Sequence, residues 1–218
     1  MIIFIPIKEK SQRVPNKNFR LLGEYPLYKR CLLKLKNHKV YVDTDSHNLI
    51  DMIMNDKDLK HVHPFKRQKK LEGHETSVCD LIESFIKNFK LEKETICQVH
   101  VTSPFLKTKT IEDALKKIEE GHDSVVSCNL YQNRLWRKEE YGYCPVNHNP
   151  VKLEQTQDLP VFYEENSLFY IFKAEGFMKT KLRIGVQPYF YPCNFPENLD
   201  IDVEGDWKIV ESIVRLEG

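Results

Sequence analysis

Ile2-Ile3-Phe4-Ile5-Pro6-Ile7-Lys8-Glu9-Lys10-Ser11-Gln12-Arg13-Val14-Pro15-Asn16-Lys17-Asn18 runs from an apolar stretch straight into a loop crowded with cations. Residues 2–7 read as a buried first strand. Lys8, Lys10, Arg13 and Lys17 then fall within ten residues, and Ser11 adds a hydroxyl donor. A polyphosphate needs this kind of local compensation through charge-assisted hydrogen bonds. On charge alone the loop would be a solvated basic surface. The strand before it gives it a place, because ligands of open α/β sheets bind beyond the carboxyl ends of the strands.

Outward from this stretch the chain alternates. The spacing predicts a helix over residues 26–35 and a strand over 39–42 that ends at Asp43-Thr44-Asp45-Ser46. Asp45 or Ser46 is placed to cap a helix over 47–55. Further strands are expected over 61–64, 95–101 and 123–128, with helices over 75–90 and 110–120, the latter stopped by Gly121. Strand and helix alternating at this spacing imply right-handed crossovers: a Rossmann-like, mostly parallel sheet flanked by helices. The pattern breaks over residues 129–166, rich in Tyr, Asn and Pro, which read as an extended arm that packs against something, with a second subunit as candidate. Strand signals return over 168–172 and 185–191. A last helix is expected over 204–216, with Trp207, Val210, Ile213 and Val214 inward. The whole chain reads as a single domain with one inserted arm.

Bulk properties narrow the function. The 218 residues carry 33 basic and 32 acidic side chains, a net charge of +1. That balance offers no bulk attraction to nucleic acid or to an anionic membrane. No apolar run approaches the ~20 residues of a membrane span. The opening stretch lacks the basic residues that precede a signal peptide's apolar segment. The six cysteines are scattered with no C-x-x-C pair, which points to reduced thiols and a cytoplasmic setting. His61 and His63 alternate along a strand with His74 further on, yet no fourth ligand accompanies them, so they read as ordinary histidines rather than a zinc site.

Near the far end stands Asp200-Ile201-Asp202, with Asp206 four residues on. Two carboxylates one residue apart on an extended segment face the same side. Mg²⁺ favours such a pair, completed by water and substrate phosphates. Asp200, Asp202, Glu204, Gly205 and Glu211 also fit the spacing of an EF-hand calcium loop. The flanks speak against it: Pro188, Pro192 and Pro196 occupy the ground where the entering helix would lie.

Pro6, Ser11, Pro15, Lys17 and Asn18 match the opening pattern P-A-R-G-G-S-K-x-x-P-x-K-N of the acylneuraminate cytidylyltransferases, the CMP-sialic acid synthetases, and the chain resembles that family. Lys8 stands for the arginine, Glu9 and Lys10 for the two glycines, and Gln12 for the second lysine. Asn18 argues against the Kdo-transferring relatives, which carry proline there. Val42 to Ser46 is similar to "V-S-T-D-S", and His100 to Phe105 to "Q-P-T-S-P-L". Thr156 to Pro160 resembles "R-Q-D-L-P" with Thr156 in place of arginine. Glu165 to Ile171 resembles "E-N-G-A-I-Y-I", and Asp200 to Asp206 "D-I-D-x-x-x-D".

The resemblance implies a cytidylyltransferase that moves CMP from CTP to an acidic sugar, releasing pyrophosphate, in a dimeric protein whose contact would be the aromatic stretch 131–163. It implies Lys8, Ser11, Arg13, Lys17, Asn18, Arg67, Ser77, His100, Thr102 and Ser103 around the nucleotide. Gln157, Asn166 and Tyr170 fall to the sugar, and Asp200 and Asp202 to Mg²⁺. Lys8, Arg13, Lys17 and Asp202 are the candidates to carry the transfer. Two other readings stand beside this one: a nucleotidyltransferase with another acceptor or nucleotide, and a degenerate member serving as a binding subunit, which Glu9, Lys10, Gln12 and Thr156 suggest. The enzyme reading requires the opening cations to lie opposite the distant acidic pair across a gap wide enough for a nucleotide.

Overall fold

A computed structural model describes residues 1–73 and 75–217. The elements in chain order are β1 (Ile2–Ile7), β2 (Leu21–Leu22), β3 (Tyr25–Pro26), α1 (Leu27–Lys34), β4 (Lys39–Thr44), α2 (His47–Met54), β5 (Val62–Lys66), α3 (Val78–Phe89) and β6 (Thr95–Val99). Then come α4 (Thr108–Glu119), β7 (Ser124–Tyr131), β8 (Trp136–Glu139), β9 (Gly142–Pro145), β10 (Phe162–Lys173), α5 (Ala174–Thr180), β11 (Pro188–Pro192) and α6 (Glu204–Glu217).

Seven strands form one sheet in the order β11-β7-β10-β6-β1-β4-β5. β1 lies between β4 and β6, parallel to both. Its near-continuous apolar sequence follows from that position, since a central parallel strand is covered on both faces. Ile3, Ile5 and Ile7 join Leu32 of α1, Leu49 of α2 and Ala114 of α4 on one face. Ile2 and Phe4 join Phe85 of α3 and Phe177 of α5 on the other. Phe4 and Phe85 stack at 4.6 Å between ring centroids. A third cluster sits under the cationic loop, where Trp207 and Val210 of α6 meet Val14, Leu22, Leu27 and Phe105.

Local chemistry sets the helix starts. Ser46 caps α2 by accepting from the N–H of Leu49. Ser77 and Asp80 make a reciprocal capping box, so α3 begins at Val78 and not at residue 75. Gly121, at φ +107°, stops the chain after α4 in a conformation closed to most side chains.

Three features depart from the expectation. β10 is a twelve-residue strand, antiparallel to both neighbours, where a short strand over 168–172 was expected. The seven residues of α5 and the β2–β3 pair also lacked a sequence signal. The β10 register shifts between Glu165 and Tyr170, and Ser167 takes φ +60° there, at the position where the family pattern has glycine. Beyond this bulge β7 and β10 run on as a ladder from Cys128–Glu165 to Tyr131–Phe162. Between its ends lies the inserted arm, with the β8–β9 hairpin at its centre. Trp136, Tyr141, Tyr143, Val151 and Leu153 are exposed on it.

All six cysteines are free; Cys31, Cys97, Cys128 and Cys193 are buried, and burial pushes the Cys193 thiol up to about 12. His61 bonds the Leu32 carbonyl at 3.0 Å and His63 packs on Tyr41, while His74 lies outside the described residues. The segment before Asp200 is strand β11 and a turn, and Glu211 lies inside α6 bonded to Arg215, so no EF-hand is formed. No helix among the described residues is long and apolar enough to cross a membrane.

Candidate active site

The loop after β1 leaves the sheet between β4 and β6. Asn18 ties its two ends together by donating from Nδ2 to the carbonyl of Lys8 at 2.8 Å. A cleft of about 240 Å³ opens above, lined by Lys8, Lys10, Ser11, Gln12, Arg13, Lys17, Asn18, His100 and Thr102. Eight of the predicted nucleotide-side residues stand in or beside it: Lys8, Ser11, Arg13, Lys17, Asn18, His100, Thr102 and the adjoining Ser103.

Glu9 does not line this cleft. Its backbone N–H donates to Asp45 Oδ1 at 2.7 Å, and its carboxylate accepts from Ser46 Oγ at 3.0 Å. The negative charge that replaces a glycine is thus turned toward the start of α2, leaving the cations the cleft.

The acidic pair stands beside these cations, Asp202 against Arg13 and Asp200 near Lys17 and Thr102. Arg13 Nη2 meets Asp202 Oδ1 at 2.6 Å, and Lys17 Nζ donates to the Ile201 carbonyl at 2.5 Å. The backbone N–H of Ile201 donates to the Thr102 carbonyl at 3.0 Å, fixing this segment to the end of β6. Asp206 accepts from the N–H groups of Asp202 and Val203, both at 2.8 Å, and so shapes the turn into α6. Lys17 is held below the usual lysine range by burial, against the opposing pull of Asp200 and Asp202. Asp200 is held above the usual carboxylate range, first by burial; the Thr102 hydrogen bond and Lys17 pull the other way, and Asp202 adds to the rise.

These residues fit a hard divalent cation. Asp200 Oδ1 is buried without a hydrogen-bond partner, an arrangement a metal would satisfy. Among the described residues no three His, Cys, Asp or Glu side chains converge, so the pair would be a two-carboxylate platform rather than a closed cage.

His100 sits at the floor of the cleft beyond β6. Its Nε2 is buried without a partner, and burial, then nearby Arg183, brings its pKa down to about 4. The ring is therefore neutral at ordinary pH, with one donor and one acceptor nitrogen to offer. Ser103 Oγ is likewise buried and unpartnered.

The remaining predicted residues lie outside this lining. Arg67 is buried against Asp43, to which its Nε donates. Ser77 gives its hydroxyl to Asp80 at 2.8 Å. The segment between them does come close, since Lys8 Nζ donates to the Gly73 carbonyl at 3.0 Å. Asn166 donates to Asn129 Oδ1 at 3.0 Å beside the β10 bulge. Tyr170 is buried on the same strand; its hydroxyl donates to Glu165, and the ring lies 6.4 Å from His100. Gln157 is exposed on the arm, where its carbonyl accepts from Gln132 at 2.9 Å.

Sequence reasoning missed Arg183 and Gln98. Arg183 follows α5 in an irregular segment, and its Nη1 donates to Gln98 Oε1 at 2.7 Å. Its guanidinium lies 3.8 Å from the centre of the Tyr170 ring. A lone arginine in a turn belongs to no periodic pattern; a glutamine inside the apolar β6 was the available signal.

The profile of a family described as Cytidylyltransferase matches residues 2–218. The chain is 29% identical over 213 residues to N-acylneuraminate cytidylyltransferase A of Danio rerio, covering 94% of this chain and 48% of that protein. It thus spans about half the length of that relative. It is 27% identical over 237 residues to the CMP-N,N'-diacetyllegionaminic acid synthase of Legionella pneumophila, covering 99% and 97% of the two. In fold it is similar to a CMP:2-keto-3-deoxy-manno-octonic acid synthetase solved with CTP, at TM-score 0.68 and 13% identity, covering 100% and 99% of the chains. A 4-diphosphocytidyl-2C-methyl-D-erythritol synthase gives 0.66 at 13% identity, covering 98% of each. With its match running from residue 2 to residue 218 over one sheet and one cation-lined cleft, the chain belongs to the cytidylyltransferase family.

Proposed function

We propose that the protein transfers CMP from CTP to an acidic sugar of the sialic-acid type and releases pyrophosphate. The observation that carries this reading is the meeting of Arg13 with Asp202 at 2.6 Å, beside Lys17 and Asp200, over the carboxyl ends of β1 and β6. Cations suited to a triphosphate and carboxylates suited to a metal stand together at one end of the sheet, which supports this reading.

In this reading Lys8, Ser11, Arg13 and Lys17 hold the triphosphate, with Asn18 pinning the loop that carries them. Neutral His100 and buried Ser103 offer hydrogen bonds to the base. Arg67 and Ser77 support the nucleotide side from the segment that Lys8 bonds at Gly73. Gln157, Asn166 and Tyr170 serve the sugar. A sugar hydroxyl attacks the α-phosphorus in line and gives its proton to water; the α-phosphorus bond to the bridging oxygen breaks and pyrophosphate departs. Such a transfer draws on positioning and charge stabilisation more than on covalent help from the protein. Asp200 and Asp202 would hold Mg²⁺, which supplies neutralisation of developing phosphate charge when bound.

The apolar arm is the proposed contact of a homodimer, because Trp136, Tyr141 and Tyr143 stand exposed together on one hairpin. Free, mostly buried thiols support a cytoplasmic setting.

The test is incubation with Mg²⁺, each of the four nucleoside triphosphates and a panel of sialic, legionaminic and pseudaminic acids. Pyrophosphate release and product mass are the readouts. A CMP-sugar formed from CTP is expected. Release with another nucleotide or a neutral sugar would redirect the assignment, and no release together with no CTP-induced stabilisation would mark a non-catalytic subunit.

A further inference from the structure

Arg183 is a half-buried arginine that forms no ion pair with any carboxylate among the described residues. Buried charge of this kind is costly unless something offsets it. The side chain is nevertheless held in one place. Gln98 accepts from Nη1 at 2.7 Å, and the Tyr170 ring lies beneath the guanidinium at 3.8 Å. Stacking on a ring leaves the N–H edge of the fork free, and that edge suits a carboxylate in bidentate fashion.

The surroundings also await a ligand. Gln98 Nε2 and His100 Nε2 are both buried without partners. Gln98 and His100 stand two apart at the end of β6; His100 lines the cleft, and Arg183 stands behind it, sharing the Tyr170 ring with it and lying near enough to act on its charge. The triphosphate would occupy the opposite side, with Lys8, Arg13 and Lys17. Thr156, which replaces an arginine of the family pattern, leaves the arm without a cation at that point.

We infer that Arg183, braced by Gln98 and Tyr170, is the specificity-determining residue that binds the carboxylate of the sugar acceptor. The inference rests on the cytidylyltransferase reading and adds which group distinguishes an acidic sugar from a neutral one. Nothing in it requires Arg183 to touch the nucleotide.

The experiment compares the wild type with Arg183→Gln and Arg183→Lys, each with Mg²⁺ and α,β-methylene-CTP, whose α–β bridge cannot break, so that the acceptor binds without turnover. The probes are N-acetylneuraminic acid and its carboxyl amide, and the readout is direct binding by calorimetry. The wild type is expected to prefer the acid by tenfold to about a hundredfold, the range of a charge-assisted hydrogen-bond pair. Arg183→Gln should lose that preference, while Arg183→Lys should keep part of it. A merely structural role would weaken both probes equally and leave their ratio unchanged. An unchanged ratio in Arg183→Gln, or a wild type that does not discriminate, overturns the inference. CTP-induced thermal stabilisation, measured in parallel on all three proteins, reports on the nucleotide. Its absence in the wild type would sink the cytidylyltransferase reading itself, whatever the acceptor ratio.

Discussion

Asp202 carries two duties in one side chain. It pairs with Arg13 and, in the proposed chemistry, helps hold the metal. The pair is half-exposed, so its contribution to stability is small, about 1 kcal/mol or less. Asp202→Asn should therefore leave the thermal midpoint within a few degrees. Turnover should fall by at least about a hundredfold, since a metal's charge stabilisation is worth several kcal/mol. Retained turnover, measured as pyrophosphate release, would refute the metal assignment. His100 yields a different prediction. Its folded pKa of about 4 lies below the ordinary 6.5 of the unfolded chain. Between those values the unfolded state binds more protons, so stability drops as pH falls from 6.5 toward 4. His100→Gln should remove that part of the slope; urea midpoints of the two proteins at pH 7 and pH 5 are the measurement. Equal losses in both proteins would mean that the ring titrates normally.

Among the elements, α3 shows a single residue fixing a boundary. Ser77 bonds the N–H of Asp80, and Asp80 bonds back. Ser77→Ala should cost about 1 kcal/mol, or about 2–4 °C in a domain of this size. A midpoint unchanged within error would show that the cap is dispensable. The elements also show what could be read in advance. β1, α1, β4, α2 and α4 were legible because apolar spacing and capping residues are local signals. The direction of β10 was not, because alternation along a strand is the same whichever way it runs. Its bulge rests on Ser167 at positive φ, where serine gives no warning that glycine would have given. α5 is short, carries Gly176 and charged flanks, and buries only Ala174 and Phe177, too little for a helical stripe.

For the molecule as a whole, the cleft joins residues 189 apart in sequence. The cations and the carboxylates could each be picked out by residue type and spacing. Their contact depended on strand order, which places β1 beside β6 and lets Thr102 hold Ile201. Arg183 lay beyond reach for the same reason: its partners Gln98 and Tyr170 come from two strands that meet only in the sheet. The arm belongs to this scale too. Replacing residues 136–145 by a short polar turn should convert the proposed dimer to monomer, read by analytical ultracentrifugation. A particle mass unaffected by the deletion would remove the arm from the interface.

The place of β10 in the sheet bears on how the protein is made. Strands β5, β4, β1 and β6 can zip together as the first hundred or so residues leave the ribosome. β7 emerges next and finds no neighbour, because both strands that flank it, β10 and β11, are still unsynthesised. Until residues 162–173 arrive, the nascent chain carries an open β6 edge and a loose apolar strand, the two ingredients of edge-to-edge aggregation. Translation that stalls within the arm would leave the chain at its most chaperone-dependent point.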